Sequence, residues 1–212
     1  MDRGDRMMVK DLRCEFISWQ QVYGMCRRLA ISIRESGFQP DLVVAIARGG
    51  YVPARVLCDF LEIGSLTGFR IEHYKAGADR QPETRIISGI GLDITGMRVL
   101  LVDDVSDTGD TLAKAVPFLL AQGASEVKSA LLLHKKGSSV VPDYYAEKII
   151  QWHWIIYPWA VIEDVGAFLG RLDKPPSTVA EAEVMLQEEY GANVPVPILE
   201  DIFAMGNHSF SR

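Results

Sequence analysis

The stretch that most constrains the fold of this chain is an apolar run, residues 99–102 (VLLV), followed directly by Asp103 and Asp104. An uninterrupted apolar run predicts a strand that is buried on both faces, as in a parallel sheet covered by helices. Ligands of open α/β sheets bind in the crevice outside the carboxyl ends of such strands. The sequence therefore predicts an α/β fold with a functional site beside the two acids.

A loop of small and hydroxylated residues follows the acids and leads into a helical pattern. Residues 112–122 have amphipathic spacing, and Gly123 after them is a typical C-cap. Amide groups at a helix N-terminus and the helix dipole favour an anion, while Gly109 allows the backbone to approach it closely. The hydroxyls of Thr108 and Thr111 add donors, so that the loop predicts a phosphate site.

The strand, the two acids and the following Asp-Thr-Gly-Asp-Thr resemble the binding motif for 5-phosphoribosyl 1-pyrophosphate (PRPP) in type I phosphoribosyltransferases. The loop has neither the Walker A pattern nor the Gly-x-Gly-x-x-Gly turn of a dinucleotide fold. An acidic strand end of a receiver domain or another doubly wound protein is the alternative. The resemblance implies a central, mostly parallel sheet flanked by helices, with a small hood. It assigns PRPP binding to Asp103, Asp104, Ser106, Asp107, Thr108, Gly109, Asp110 and Thr111.

A second candidate anion contact is formed by Arg48, Gly49 and Gly50, which follow the predicted buried strand 41–47. A glycine pair leaves backbone amides accessible, and the guanidinium lies beside them. Taken alone, the segment could also be a tight turn with a solvated arginine. The family resemblance assigns these three residues to pyrophosphate and predicts a strained or cis peptide near Arg48 and Gly49.

Residues 75–86 form a polar segment that contains Lys75, Arg80 and Arg85. A connection with three cations fits a lid that closes over a polyanion and excludes water, although a solvated hairpin loop is the alternative. The family has a flexible catalytic loop at this place in the chain. The resemblance therefore makes Lys75 and Arg80 candidate catalytic residues, and it leaves open which basic residue contacts the substrate.

Two segments are candidates for binding a purine base. Lys135 directly follows the predicted apolar strand 126–134. The 6-oxopurine phosphoribosyltransferases place a lysine at this point of the chain, against O6 of the base. A solvated lysine is the alternative. Residues 151–160 hold three of the four tryptophans and could be core. This segment also resembles the base-binding segment of bacterial xanthine-guanine phosphoribosyltransferases, in which Trp154 would stack on the purine and the Ile155 backbone would read its edge.

The segment departs from that family pattern at one position. Members of the family often have an acidic residue directly after the Pro-Trp pair, and this chain has Ala160 there. Glu163 and Asp164 are possible replacements. A pyrophosphate or metal role tied to this position is therefore open.

The reaction that the resemblance implies is transfer of the 5-phosphoribosyl group from PRPP to a 6-oxopurine: hypoxanthine, guanine or xanthine. Asp107 would act as general base, and Asp103 and Asp104 would bind Mg²⁺, which prefers oxygen ligands. The products are a nucleoside 5'-monophosphate and pyrophosphate, as in purine salvage. Two alternatives stay open: a PRPP-sensing regulatory protein with the same fold, and a phosphoribosyltransferase for adenine, orotate or uracil.

Composition limits the partners and the location. The formal net charge of -6 argues against nucleic acid, and three cysteines without Cys-x-x-Cys spacing suggest neither a disulfide frame nor a zinc site. No apolar run approaches the roughly 20 residues of a membrane span, and residues 1–10 resemble no secretory signal. We expect a cytoplasmic protein without membrane contact, and the family implies a homodimer.

The C-terminal part of the chain predicts an added helical segment. Thr178 and Glu181 have capping-box spacing for a helix through Tyr190, and residues 195–205 suggest a second short helix. We therefore expect a phosphoribosyltransferase domain in residues 1–170, with a hood partly from the N-terminal segment and residues 138–165. Residues 171–212 would form a helical extension that packs against the core or a partner subunit.

Overall fold

The computed structural model describes residues 13–74 and 83–205 of the chain. The strands are β1 (Cys14–Phe16), β2 (Leu42–Ala47), β3 (Leu66–Tyr74), β4 (Glu83–Ile86), β5 (Arg98–Ser106), β6 (Glu126–Lys135), β7 (Tyr144–Ile149) and β8 (Trp154–Ile156). The helices are α1 (Trp19–Glu35), α2 (Tyr51–Leu61), α3 (Asp110–Ala121), α4 (Val161–Leu169), α5 (Val179–Tyr190) and α6 (Val196–Ala204). In these ranges no helix combines the length and the apolar character needed to cross a membrane.

The described residues form two compact units. The larger unit runs from Gln20 to Trp152, and the smaller unit combines the described residues up to Trp19 with those from His153 onward. The larger unit contains a six-stranded sheet in the order β4-β3-β2-β5-β6-β7. All neighbouring strands pair in parallel except β3 and β4, which are antiparallel. This confirms the predicted α/β fold with a mostly parallel central sheet.

The middle of the larger unit is apolar because its central strands are covered on both faces. Every residue of β2 except Ala47 is buried, and so are the five residues 99–103 of β5. The amphipathic helix α3 adds Leu112, Ala115 and Leu119 to the core. The apolar run and the helical spacing therefore predicted β5 and α3 correctly, and the loop between them is held by two rigid elements.

The smaller unit has its own core. Strands β1 and β8 pair in parallel, and α4, α5 and α6 bury Phe168, Leu186 and Leu199 together with Ile156. The Thr178 hydroxyl accepts the Glu181 N–H at 3.2 Å, which confirms the predicted helix start. Because α5 and α6 share this core with β8 and α4, the compact units divide at residues 19 and 152 rather than at residue 170.

Candidate active site

Several predicted site residues of the larger unit lie at one edge of its sheet. Arg48 follows β2, Asp103 and Asp104 lie near the carboxyl end of β5, and Lys135 ends β6. Since these strands are parallel neighbours, their carboxyl ends meet at the same edge. A cavity of about 270 Å³ opens there, and its lining includes Asp103 and most of the loop from Ser106 to Thr111.

The loop that begins α3 depends on a glycine. Gly109 has a φ of 92°, in the left-handed region that favours glycine. A Cβ atom at this position would lie 2.7 Å from the backbone nitrogen of Val140 and 2.8 Å from the hydroxyls of Ser138 and Ser139. Gly109 therefore serves both the turn and the close approach of a neighbouring segment.

That neighbouring segment, residues 138–140, supports the loop through hydrogen bonds. The Ser139 backbone N–H and its hydroxyl both donate to the carbonyl of Thr108, each at 2.8 Å. The hydroxyls of Ser106 and Ser138 lie 2.7 Å apart. Ser138 and Ser139 carry no signal in the sequence that would assign them to the site, because two serines after a glycine are typical of any turn.

The acidic pair is partly withdrawn from solvent. The Asp103 side chain is buried, and its Oδ1 accepts the Asp104 backbone N–H at 3.0 Å. Burial raises the pKa of the Asp103 carboxyl well above its ordinary value, and the neighbouring Asp104 charge adds to this. Burial also raises the pKa of Asp104 to about 6. A nearby cation would lower both pKa values by stabilising the ionised forms.

The donor set of this pair fits Mg²⁺. Among residues 13–74 and 83–205, no group of three or more His, Cys, Asp or Glu side chains is arranged to hold a metal ion. Mg²⁺ is commonly bound through one or two carboxylates together with substrate phosphates and water. Asp103 and Asp104 supply carboxylate oxygens of that kind, and burial disfavours their ionised forms, which a bound cation would stabilise.

The turn after β2 lies against β5. A Cβ atom at Gly49 would overlap the Asp104 carboxylate, with Oδ1 at 2.6 Å, and one at Gly50 would collide with the backbone of Ile46 and Val102. Both glycines are therefore needed for the turn to approach the acidic strand. A cis peptide bond joins Ala47 to Arg48, one residue before the Arg48–Gly49 bond around which the sequence predicted strain.

The predicted general base and the predicted purine contact form an ion pair. The Lys135 ammonium donates to Oδ2 of Asp107 at 3.0 Å. The Lys135 side chain is only 7% exposed, whereas that of Asp107 is 48% exposed. The structure thus brings Asp107 and Lys135 together although 28 positions separate them.

Trp152 also contacts this pair, although no motif in the sequence predicts that it belongs to the site. Its indole N–H donates to Asp107, with Nε1 at 3.1 Å from Oδ1 and 3.4 Å from Oδ2. The Lys135 Nζ lies 4.5 Å from the centroid of the Trp152 ring. The available signal was a cluster of tryptophans, from which Trp154 was selected by family resemblance.

The remaining predicted residues are distributed as follows. Lys75 and Arg80 lie outside the described residues, and Arg85 belongs to β4. Trp154 and Ile155 lie on β8 of the smaller unit, where the Trp154 ring meets Phe168 edge-on with centroids 6.0 Å apart.

Two further candidates belong to the smaller unit. Glu163 and Asp164 occupy the first turn of α4. Their roles, like the individual ligand contacts assigned to the other site residues, stay predictions.

Comparison with known proteins decides the family. A family model described as phosphoribosyl transferase domain matches residues 15–163. The chain belongs to this family. The match includes the whole of the larger unit, and in the smaller unit it ends within the first turn of α4.

Relatives of this phosphoribosyltransferase chain are named as purine enzymes. Xanthine-guanine phosphoribosyltransferase from a Ruegeria species is 31% identical over 153 residues, which cover 68% of this chain and 83% of that protein. Xanthine phosphoribosyltransferase 1 from Saccharomyces cerevisiae is 28% identical over 184 residues, covering 68% of this chain and 88% of that protein.

A solved structure, a purine phosphoribosyltransferase from Pyrococcus horikoshii, is 37% identical with a TM-score of 0.61. The similarity covers 70% of this chain and 94% of that one. The predicted family and its fold are confirmed for this phosphoribosyltransferase chain.

Proposed function

We propose that this protein transfers the 5-phosphoribosyl group from PRPP to a 6-oxopurine and releases pyrophosphate and a nucleoside 5'-monophosphate. The observation that carries the choice of base is the contact between the Asp107 carboxylate and the Lys135 ammonium at 3.0 Å. The contact puts a hydrogen-bond acceptor beside a charged donor in the larger unit. The purine specificities named for the Ruegeria and yeast relatives support the same class of substrate.

The pair is complementary to one edge of a 6-oxopurine. On that edge the ring nitrogen N7 lies beside the exocyclic O6. Lys135 would donate to O6, and Asp107 would accept a proton from N7 as the new glycosidic bond forms at N9. Adenine carries an amino donor in place of O6 and would leave the ammonium without an acceptor. A site built this way discriminates strongly against the amino compound.

The loops beside the Asp107–Lys135 pair supply the groups that bind PRPP. The amides and hydroxyls of the loop 106–111 bind the 5'-phosphate at the start of α3. Arg48 and the amides of Gly49 and Gly50 bind pyrophosphate and stabilise the charge that grows on it as the anomeric bond breaks. Asp103 and Asp104 bind the ribose hydroxyls. Each of these groups belongs to a loop or strand end at the same edge of the sheet.

Asp103 and Asp104 would also hold Mg²⁺. When bound, the ion supplies positive charge to the pyrophosphate oxygens. The fit rests on the oxygen donors of the two side chains and on the raised pKa values that a cation would lower. Enzyme treated with EDTA should lose turnover and regain it with added Mg²⁺, and activity that survives complete chelation would contradict this assignment.

A base panel tests the proposed function. Purified protein is incubated with PRPP, Mg²⁺ and, in separate reactions, hypoxanthine, guanine, xanthine, adenine, orotate or uracil, and nucleotide is measured by chromatography. We expect product with at least one 6-oxopurine and none with adenine. Binding of PRPP without nucleotide from any base would instead favour a PRPP-sensing protein. Asp107→Asn serves as the variant that should bind PRPP but turn over slowly.

Two further properties belong to the proposal. We infer a homodimer, as the family implies, and a cytoplasmic location, where free PRPP and purine bases would be the substrates. Sedimentation equilibrium gives the mass of the assembly, which should be twice the 23.6 kDa of the chain. Fractionation of the source cells tests the location.

A further inference from the structure

Trp152 contacts both charged groups to which the proposed function assigns the purine edge. Its indole N–H lies within hydrogen-bond distance of both Asp107 carboxylate oxygens, and its ring lies beneath the Lys135 ammonium. The side chain of Trp152 is nevertheless about half exposed, at 49%. A large aromatic residue that is left half exposed yet makes two specific polar contacts is not explained by core packing.

We propose that Trp152 is a positioning residue that orients Asp107 and Lys135 for the base, an inference that rests on the proposed function. The indole nitrogen is a donor only, so it can hold a carboxylate but cannot compete for a proton. Asp107 receives donors from two sides, Lys135 on Oδ2 and Trp152 nearer Oδ1. When Lys135 turns to O6 of the base, the indole N–H stays on the carboxylate and limits its rotation.

The ring of Trp152 has a separate effect on Lys135. The lysine side chain is 7% exposed, so its ammonium has little contact with solvent, and a buried cation needs compensation. An aromatic face within about 6 Å of an ammonium supplies such compensation through a cation–π contact. Once the carboxylate is engaged by the substrate, the indole face continues to hold the ammonium. Trp152 therefore keeps the donor in place while its ion-pair partner accepts a proton.

A different role for Trp152 would be to stack on the purine. The two roles differ in which part of the side chain matters. Stacking needs an aromatic face and no N–H group, whereas positioning of Asp107 needs the N–H and positioning of Lys135 needs the face. The contacts of the indole N–H with Asp107 favour the positioning role.

Two substitutions separate these contributions. Trp152→Phe keeps an aromatic face and removes the N–H, and Trp152→Leu removes both. Trp19→Phe is the matched control, because Trp19 is also exposed, at 58%, and its ring contacts Trp159. Steady-state kcat and KM are measured for PRPP and for the preferred 6-oxopurine. Thermal melting of each variant verifies that the fold is retained.

We expect kcat of Trp152→Phe to fall about tenfold, with KM for the base changed less than about twofold. The fall corresponds to loss of one hydrogen bond to a half-exposed carboxylate. Trp152→Leu should show the same fall in kcat and, in addition, a higher KM for the base. Trp19→Phe should match the wild type. Unchanged kcat in Trp152→Phe overturns the proposal. If Trp152→Leu raises the KM for the base while kcat stays unchanged in both variants, the result would assign stacking to Trp152 instead.

A spectroscopic measurement tests the contact independently of turnover. The indole ¹⁵N–¹H resonance of Trp152 is identified by its absence in Trp152→Phe, and it should shift when Asp107 is replaced by Ala. A resonance that does not respond to Asp107→Ala overturns the proposal. Failure of the wild type to convert any 6-oxopurine would instead contradict the proposed function, so the two failures are distinguishable.

Discussion

Substitution of Gly50 by Ala should destabilise the larger unit through crowding alone. The φ of Gly50 is -68°, which alanine adopts readily, so the backbone conformation itself costs nothing. The added Cβ would lie 2.7 Å from the carbonyl oxygen of Ile46 and 2.9 Å from its nitrogen, and it would also collide with the carbonyl of Val102. These atoms belong to the backbones of the central strands β2 and β5, which cannot turn away as a side chain can.

Overpacking of a well-packed site typically costs about 1–3 kcal/mol. Because the three nearest atoms to a Cβ at Gly50 belong to the backbone, we expect a loss of about 3 kcal/mol. A loss of that size lowers the Tm of a chain of this size by about 6–12 °C. Thermal denaturation followed by circular dichroism measures the change. Gly64→Ala is the matched control, since a Cβ there has no neighbour within 4 Å. Equal Tm values for the two variants would refute the reasoning.

Three further predictions concern the base contact, the acidic pair and the smaller unit. Lys135→Met should lower kcat/KM for the 6-oxopurine by about 10- to 100-fold, since a charged hydrogen bond is lost; an unchanged kcat/KM for the 6-oxopurine would contradict this. Burial raises the pKa of Asp104 from 3.8 to about 6, so the folded, metal-free protein binds the proton more tightly than the unfolded chain. The free energy of unfolding should therefore decrease as the pH rises from about 4 to about 6. Asp104→Asn should reduce that fall and stabilise the protein at pH 7.5 by on the order of 3 kcal/mol, as measured by denaturant titration in EDTA; an unchanged pH slope would disprove it. Leu186→Ala should cost about 2–5 kcal/mol because Leu186 is fully buried, whereas Val184→Ala on the exposed face of the same helix should cost little, and thermal melting compares them.

The parts of the fold that the sequence predicted are those that short-range patterns determine. The apolar run before Asp103 is a fully buried strand, and the amphipathic spacing after the loop is α3. The capping box at Thr178 begins α5, because its hydroxyl and the following N–H groups lie within one turn of chain. The Gly49–Gly50 turn was also recognisable, since glycine at a strand end allows an approach that other residues prevent.

Other features depend on contacts between distant segments and could not be read from spacing. Trp152 meets Asp107 across 45 positions, and whether an exposed tryptophan reaches a carboxylate depends on the path of the chain after β7. The support of Thr108 by Ser139 is of the same kind. The position of the boundary between the two compact units depends on the same kind of contact, because the C-terminal helices share a core with β8, which lies before the predicted extension.

These contacts explain why the loops of the larger unit form one site rather than three separate ones. Each loop follows a parallel strand, so the sheet brings them to the same edge, but the sheet alone does not set the distances between their side chains. Gly49 permits contact with Asp104, Gly109 permits contact with residues 138–140, and Asp107 is bonded to both Lys135 and Trp152. A substitution at one of these contacts should therefore alter turnover more than stability, provided that the added atoms meet a side chain or that the contact it removes is one with a side chain. Gly49→Ala is the clearest case, because Asp104 can rotate away from the new methyl group and, in doing so, leaves the position in which it would bind PRPP.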